Sequence, residues 1–178
     1  LCYERKEYDF IDNEIMTPLQ CGADKNPHNV CQLKDNTGDN ISASNFTYAE
    51  NTGIYWIWKN VKDAKYKGQT QYRRRLSGID ENTDFDAIFE KYDIICAIPY
   101  NYPENYAKFI PAKKVITGYG YSHCSEDINL LGEVIRQRFS DYYDDWKKYI
   151  VDGENLYYSN GFILPSEKYD EYCQFLFT

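Results

Sequence analysis

Three short segments in the first half of the chain carry most of the residues able to do chemistry. They are an acidic glycine turn, Asp35 to Ser42 (DNTGDNIS), an aromatic run, Tyr55 to Asn60 (YWIWKN), and a basic run, Tyr72 to Arg75 (YRRR). Carboxylates and amides bind hydroxyl groups, whereas guanidinium groups bind phosphate oxygens in pairs. Core packing explains the aromatic run but not the other two segments. Together they suit a ligand that carries both hydroxyls and phosphates, as a nucleotide sugar does.

The acidic glycine turn supplies three candidate donor-binding residues, Asp35, Asp39 and Asn40. Their side chains can bind a uracil edge, a ribose hydroxyl or a metal ion. The alternative is an Asx turn, in which Asp and Asn side chains bond to their own backbone. Residue types and spacing leave both interpretations open.

The basic run follows a predicted strand over residues 65–72. Successive side chains of a strand point to opposite faces, so Arg73 and Arg75 are predicted to share one face and Arg74 to take the other. Arg73 and Arg75 are therefore the candidates for binding a diphosphate. The alternative is a solvated edge that pairs with the acidic surface.

Composition argues against several classes of function. The 178 residues carry a net charge of −8, whereas general nucleic-acid binding requires a basic surface. None of the six cysteines belongs to a C-x-x-C pair, so buried free thiols in a reducing cytoplasm explain them better than a zinc site. No apolar run approaches the roughly 20 residues of a membrane span. The 19 tyrosines suit saccharide binding and half-buried core positions equally.

Hydrophobic periodicity predicts strands that alternate with helices. The predicted strands are at 1–3, 65–72, 92–98 and 156–164; the predicted helices are at about 48–60, at 84–91, and after Ser125, Ser140 and Pro165. A capping-box pattern from Thr47 to Glu50 marks the start of the aromatic helix. This alternation predicts a three-layer α/β/α fold with a mainly parallel sheet. Ligands of such folds bind beyond the carboxyl ends of strands, where the acidic turn and the basic run both fall.

Several motifs occur in a fixed order. They are Asp35 to Ser42, Glu50 to Thr52, Tyr55 to Asn60, Gln71 to Arg74, Lys91 to Ile95, His123 to Ile128 and Ser159 to Ile163. In this order they resemble the bacterial capsular and exopolysaccharide biosynthesis domain, a family of GT-A-type nucleotide-sugar glycosyltransferases. The resemblance covers nearly the whole chain. One departure is Gln71, where the family usually has His, and it puts an acid–base or metal role at that position in doubt.

The resemblance implies transfer of a sugar from a nucleoside diphosphate donor, a UDP-sugar, to a growing capsular polysaccharide, exopolysaccharide or lipopolysaccharide. Enzymes of the GT-A type usually hold a divalent ion, Mn²⁺ or Mg²⁺, with an Asp-x-Asp motif. The basic run occupies the expected place of that motif here. Asp84-Phe85-Asp86 is read instead as a helix N-terminus, where acidic residues complement the helix dipole. We therefore predict no metal ligands, and a divalent ion stays open as an alternative to the arginines.

Acid–base chemistry is assigned to a later segment. His123 and Asp127 are the candidate catalytic residues, because a transfer that inverts the anomeric centre needs a base near the acceptor hydroxyl. Glu126 and Asn160 are the candidate acceptor-binding residues. The simpler alternative gives Glu126 and Asp127 to a helix N-terminus and makes His123 structural.

These features predict a single glycosyltransferase-like domain over residues 1–178, the ordered part of a slightly longer chain. Its expected partners are a nucleotide-sugar donor and a saccharide or lipid-linked saccharide acceptor, with no nucleic acid. The expected location is the cytoplasm, with peripheral association at the inner face of the plasma membrane. The rival interpretation is a non-catalytic carbohydrate-binding or assembly subunit on the same fold, favoured by Gln71 and the missing metal motif.

Overall fold

The computed structural model describes residues 12–98, 115–120, 123–155, 157 and 160–178. The predicted strand at residues 1–3 lies outside the described residues. The chain divides into two compact units: Leu1–Ala97 together with Ser159–Thr178, and Ile98–Tyr158. Along the chain, the second unit is therefore an insertion into the first.

Short strands and helices make up both units. The strands are β1 (Leu19–Gln20), β2 (Leu33–Lys34), β3 (Tyr66–Gln69), β4 (Ile95–Cys96) and β5 (Phe162–Pro165). The α-helices are α1 (Asn45–Tyr48), α2 (Asn51–Asn60), α3 (Phe85–Phe89), α4 (Val115–Gly120), α5 (Glu126–Arg138), α6 (Tyr143–Trp146) and α7 (Ser166–Phe177). Single turns of 3-10 helix at Ser42–Ser44 and Ser140–Tyr142 precede α1 and α6, and a π-helical turn at Lys147–Val151 continues α6.

The larger sheet is antiparallel. Strand β5 lies between β3 and β4 and runs antiparallel to both. The other sheet is a parallel pair, with Leu19 of β1 opposite Leu33 of β2. The fold is therefore mixed α/β, but the mainly parallel sheet predicted from the sequence is wrong for the described strands. The reason is that β5, which follows the second unit along the chain, lies between β3 and β4 and runs antiparallel to both.

One face of the larger sheet forms the core of the first unit with α2 and α7. Side-chain alternation along β5 places Phe162 and Leu164 on this face. The buried core residues are Ile54, Phe162, Leu164, Tyr169 and Cys173. The apolar spacing that predicts α7 from the sequence therefore identifies its buried side correctly.

Strand β3 places polar side chains on the same buried face. The ammonium group of Lys67 pairs with Asp170 at 2.9 Å, while the Lys67 side chain is only 3% exposed. The buried Tyr169 hydroxyl donates to Gln69 Oε1 at 3.2 Å. These bonds satisfy the Lys67 ammonium, the Tyr169 hydroxyl and Gln69 Oε1, whereas Gln69 Nε2 is buried without a hydrogen-bond partner among the described residues. A buried polar group without a partner costs about 1–3 kcal/mol.

The aromatic helix begins later than predicted. Ala49 has a φ of 48°, a left-handed conformation that ends α1 and separates it from α2. Thr47 lies inside α1, and no side chain caps the start of α2 at Glu50. The predicted capping box is therefore wrong, and the Glu50 carboxylate is available for other partners.

The reading of Asp84-Phe85-Asp86 as a helix N-terminus is confirmed. Asp84 Oδ1 accepts a hydrogen bond from the Ala87 amide at 3.0 Å and caps α3. Asp86 pairs with the Lys65 ammonium at 2.7 Å and also accepts from the Tyr66 hydroxyl. Both carboxylates are thus engaged by neighbouring protein groups.

In the second unit, α5 packs against the segment that contains α6. Ile128 and Ile135 are buried, and Gly132 lies under the Trp146 ring. A Cβ atom at position 132 would come within 2.5 Å of that ring, so a glycine is needed for this close approach. The helices predicted after Ser125 and Ser140 are confirmed.

The cysteines differ in exposure. Cys21, Cys31 and Cys173 are buried, whereas Cys96 and Cys124 are exposed. The expectation of buried thiols therefore holds for three of these five. It is wrong for Cys96, which lies on β4, an edge strand of the sheet.

Thiol reactivity tests this arrangement. Burial raises the pKa of Cys21 and Cys173 to about 12, and a hydrogen bond to the Glu126 carboxylate raises the pKa of Cys124. Because the thiolate is the reactive form, we expect iodoacetamide at neutral pH to alkylate Cys96 first, Cys124 more slowly, and Cys21 and Cys173 only after unfolding. Peptide mass spectrometry over a time course measures this, with urea-unfolded protein as the control. Rapid native labelling of Cys21 or Cys173 would contradict the fold.

Candidate functional site

A cavity of about 650 Å³ lies within the first unit, along β3 and beyond its carboxyl end. Its walls are largely apolar side chains, among them Ile15, Leu33, Trp56, Ile57, Leu76 and Ile163. Small-molecule sites commonly have this size and an apolar lining with a few polar groups. The basic run at the end of β3 lines this cavity, whereas the acidic turn at residues 35–42, for which the sequence predicts the same location, does not.

The polar end of the cavity is the turn that follows β3. Arg74 and Arg75 line it together with Gln71 and Tyr72. The Arg74 amide donates to the Gln71 carbonyl at 2.8 Å, and the Thr70 hydroxyl donates to the Arg74 carbonyl at 2.7 Å. Both guanidinium groups are exposed, and neither forms an ion pair with a described residue. They are therefore available to bind an anionic ligand.

The arginines do not alternate as predicted. Strand β3 ends at Gln69, and the chain turns at residues 72–73, so strand alternation stops before the basic run. Arg74, which was predicted to take the other face, lines the cavity beside Arg75. Arg73 instead places its guanidinium 5.0 Å from the centre of the Tyr72 ring and does not line the cavity. The two arginines that line the cavity are therefore Arg74 and Arg75.

Asp35 is used inside the protein. Its side chain is fully buried, and it accepts hydrogen bonds from the Gly22 amide at 2.7 Å, the Ala23 amide at 3.0 Å and the Ser42 hydroxyl at 2.6 Å. Gly22 has a φ of 65°, which a residue with a Cβ rarely adopts. Asp35 therefore holds two loops together, and a direct contact with the donor does not fit its burial.

Asn40 also bonds locally. Its Nδ2 donates to the Gly38 carbonyl at 3.0 Å, and its Oδ1 accepts from the Ser42 amide at 3.1 Å. This is the Asx-turn arrangement that the sequence left open. Asn40 does not line the cavity, so its role in the structure is to shape the turn.

Asp39 is the exposed carboxylate of the acidic turn. Asp39 Oδ1 accepts from the Tyr55 hydroxyl at 3.1 Å. The Asp39 amide donates to Asn60 Oδ1 at 3.2 Å, and Asn60 Nδ2 donates to the Asp39 carbonyl at 2.8 Å. Asp39 does not line the cavity, but its exposed carboxylate can still accept hydrogen bonds from a ligand.

Trp56 connects the acidic turn to the cavity. Its side chain is 9% exposed and forms part of the cavity wall. Its Nε1 donates to the carbonyl and the hydroxyl of Thr37 at 2.9 and 3.1 Å. The turn therefore lies behind the wall and positions it.

A carboxylate that the sequence interpretation overlooked lies at the same end of β3. Glu50 Oε1 accepts from Gln71 Nε2 at 3.0 Å and from Asn160 Nδ2 at 3.3 Å. Glu50 is half-buried. Three of the motifs behind the family resemblance thus meet at one point. The available signal was that all three belong to the motifs that carry the family resemblance, but the capping-box pattern assigned Glu50 to a helix end.

In the second unit, the structure brings His123 and Asp127 together through Tyr119. The His123 and Tyr119 rings stack with their centres 4.6 Å apart, and the Tyr119 hydroxyl donates to Asp127 Oδ2 at 3.2 Å. Desolvation and the Asp127 charge raise the pKa of Tyr119, so the phenol remains a donor. Glu126 accepts from the Cys124 thiol at 3.0 Å. All three candidate residues of this unit are exposed, whereas Asn160 belongs to the first unit.

The described residues do not fit a resident metal ion. Within those ranges, no three His, Cys, Asp or Glu side chains are grouped so that they could hold one. Among the same residues, no helix has the length and apolarity needed to cross a membrane.

Comparisons with known proteins agree with the fold. The model of a family described as a domain of unknown function (DUF4422) matches residues 1–178. A search of curated proteins finds no match. Among solved structures, the chain is similar to the apo form of WbbM, a bifunctional glycosyltransferase, with a TM-score of 0.76 and 23% sequence identity. The match covers 98% of this chain and 35% of that one, so the chain spans about a third of the length of WbbM. At this identity the likeness shows a shared fold.

Proposed function

The chain belongs to the DUF4422 family, and from its fold and its cavity we propose that it is a glycosyltransferase domain that uses a UDP-sugar. The sugar is transferred to a growing capsular polysaccharide, exopolysaccharide or lipopolysaccharide. The likeness to part of a bifunctional glycosyltransferase supports a role in sugar transfer. The choice of a UDP-sugar as donor and a surface polysaccharide as acceptor rests on the family resemblance of the ordered sequence motifs.

The observation that carries the proposal is the pair of unpaired arginines at the end of the cavity. In a chain with a net charge of −8, Arg74 and Arg75 offer two adjacent guanidinium groups without a carboxylate partner among the described residues. Guanidinium groups bind phosphate oxygens in a bidentate manner. The diphosphate of the donor binds there, and the uracil occupies the apolar cavity against Trp56.

The transfer itself requires three changes. The bond between the anomeric carbon and the β-phosphate oxygen breaks, a bond from that carbon to the acceptor oxygen forms, and the acceptor hydroxyl loses its proton to a base. Arg74 and Arg75 neutralise the charge that develops on the departing UDP. His123 and Asp127 remain the proposed base and its neighbour.

The other residues have supporting roles in this proposal. The Asp39 carboxylate accepts a hydrogen bond from a ribose hydroxyl, while Asp35 and Asn40 keep the acidic turn in place. Glu126 binds the acceptor, and Asn160 forms a hydrogen bond with a saccharide hydroxyl.

Binding of UDP tests the role of the arginines. We expect calorimetry to show UDP binding in the presence of a chelator, and we expect Arg74→Ala and Arg75→Ala each to weaken it about ten- to a hundred-fold. The reason is that a hydrogen bond to a charged group contributes about 1.5–3 kcal/mol. Arg73→Ala is the matched control, since Arg73 lies on the same turn but outside the cavity, and it should bind UDP nearly as well as the wild type.

Two results would contradict this prediction. Loss of binding in Arg73→Ala with normal binding in Arg74→Ala would favour the strand alternation predicted from the sequence. Binding that requires Mn²⁺ and is normal in all three variants would show that a metal ion, not the arginines, holds the diphosphate.

The rival function is a non-catalytic saccharide-binding subunit. Gln71 in place of the usual His and the lack of a metal-ligand group among the described residues favour it. Release of UDP from UDP-sugars separates the two. Slow release by the wild type supports the enzyme, whereas saccharide binding without any release supports the rival.

A further inference from the structure

A half-buried carboxylate without a cationic partner lies where three distant segments of the first unit meet. Glu50 precedes α2, Gln71 follows β3, and Asn160 precedes β5. Glu50 is 21 positions from Gln71 and 110 positions from Asn160. Continuing the pairing of β3 with β5 by two residues places Gln71 opposite Asn160, which explains why both amides reach the same carboxylate.

The cluster has unused acceptors. Glu50 Oε1 takes both amide donors, whereas Glu50 Oε2, Gln71 Oε1 and Asn160 Oδ1 accept no hydrogen bond from a described residue. A carboxylate can accept about four hydrogen bonds, and a partly buried one is stabilised when they are supplied. Three acceptor oxygens in one place suit a ligand that presents several hydroxyl donors, as a sugar ring does.

Gln71 connects the cluster to the arginine end of the cavity, whereas Glu50 and Asn160 lie outside the cavity lining. Gln71 lines the cavity, and its carbonyl accepts from the Arg74 amide at 2.8 Å. In a UDP-sugar the sugar is attached directly to the second phosphate. A diphosphate bound by Arg74 and Arg75 therefore brings the sugar next to Gln71.

We propose that Glu50, Gln71 and Asn160 form the binding site for the hydroxyl groups of the sugar carried by the UDP donor. Glu50 Oε2 accepts one hydroxyl directly, and the two amides hold the carboxylate in position through Oε1. This rests on the proposed function. The alternative is a purely structural role, in which the cluster only ties α2 to the sheet. That role needs an acceptor at position 50 for the two amides, whereas sugar binding also needs the negatively charged second oxygen.

The test compares UDP with UDP-glucose and UDP-galactose on wild-type protein and on Glu50→Gln. Glutamine keeps the length and the acceptor at Oε1 but removes the charge at Oε2. Because the amide nitrogen that replaces Oε2 cannot accept a hydrogen bond, the bond from the sugar hydroxyl is lost, and we expect calorimetry to show about ten- to a hundred-fold weaker binding of the preferred UDP-sugar. Binding of UDP, which has no sugar at this position, is expected to stay unchanged.

One control and one further variant accompany the measurement. Glu90→Gln makes the same chemical change on an exposed residue of the same unit that contacts neither Gln71 nor Asn160, and it should bind all three ligands as the wild type does. Glu50→Asp keeps the charge but withdraws it by one methylene, and it should also weaken the UDP-sugar and spare UDP. Melting temperatures near that of the wild type verify folding, and UDP binding serves as a second check.

The outcomes are distinct. Equal affinity of the wild type and Glu50→Gln for the UDP-sugars overturns the inference, as does an equal loss for UDP and UDP-sugars. A wild type that binds UDP and the UDP-sugars equally overturns it too, because the sugar then makes no favourable contact. Failure of the wild type to bind any of the three ligands removes the proposed function and this inference together.

Discussion

Replacing Trp56 with alanine is expected to lower the free energy of unfolding by about 3–5 kcal/mol. The indole is 9% exposed and packs in the wall of the cavity. Its truncation removes this burial and also leaves Thr37 without the donor that binds it at 2.9 and 3.1 Å. Urea unfolding followed by circular dichroism measures the change.

Trp58→Ala is the matched control for this prediction. Trp58 lies on the same helix, but it is only half-buried; its ring is stacked on Phe177 and covered by the Lys59 ammonium at 3.5 Å. We expect a smaller loss from this substitution. Normal stability of Trp56→Ala with lost UDP binding would contradict the structural role and make Trp56 a ligand-facing ring.

Asp35→Ala is expected to destabilise the protein by about 3–6 kcal/mol. The substitution leaves the Gly22 amide and the Ser42 hydroxyl without their acceptor in buried bonds and the Ala23 amide without its acceptor in a partly buried one. Each unsatisfied buried donor costs about 1–3 kcal/mol, and the Ala23 amide adds less because water can reach it. A hydrophobic side chain cannot compensate, because all three donors point at the same site. Thermal and urea unfolding at neutral pH both measure the effect.

The control for Asp35 lies in the same turn. Asp39→Ala removes an exposed carboxylate with a single side-chain bond, from the Tyr55 hydroxyl, and should change stability by about 0.5 kcal/mol or less. If Asp35→Ala were as stable as Asp39→Ala, the buried network would not hold the loops. Loss of UDP binding in stable Asp39→Ala would support the ribose contact proposed for that residue.

The local features of this fold were predictable from the sequence. Apolar residues at helical spacing identify α5 and α7. Tyr169 and Cys173 of α7 are buried as predicted, and so are Ile128 and Ile135 of α5, whereas Leu131 of α5 belongs to the same spacing and is exposed. The burial of Trp56 followed from its place on the apolar side of α2. Such predictions succeed because helical periodicity depends only on neighbours along the chain.

Strand direction was not predictable in the same way. Alternating helices and strands favour a parallel sheet when each crossover is a single helix. Here β5 follows the whole second unit and pairs with both β3 and β4. Nothing local to residues 162–165 specifies the direction from which they enter the sheet.

The candidate site was predicted in part. The sequence placed a basic group beyond β3, but it did not show that the strand ends at Gln69, so Arg73 was chosen where Arg74 lines the cavity. It also gave Glu50 to a helix end, because the left-handed Ala49 that interrupts the helix has no signature in residue type. Both errors concern backbone direction at single residues, which tertiary contacts decide.

Strands β4 and β5 are neighbours in the sheet although the whole second unit separates them in the chain. The Ala97 amide donates to the Gly161 carbonyl at 3.2 Å, so the chain leaves and re-enters the first unit at adjacent points. The entropic cost of closing a loop between two such points increases only slowly with the length of the inserted segment. Evolution can therefore exchange or resize residues 98–158 while the sheet and its cavity stay intact, and a short hairpin turn in their place should still let the first unit close its sheet.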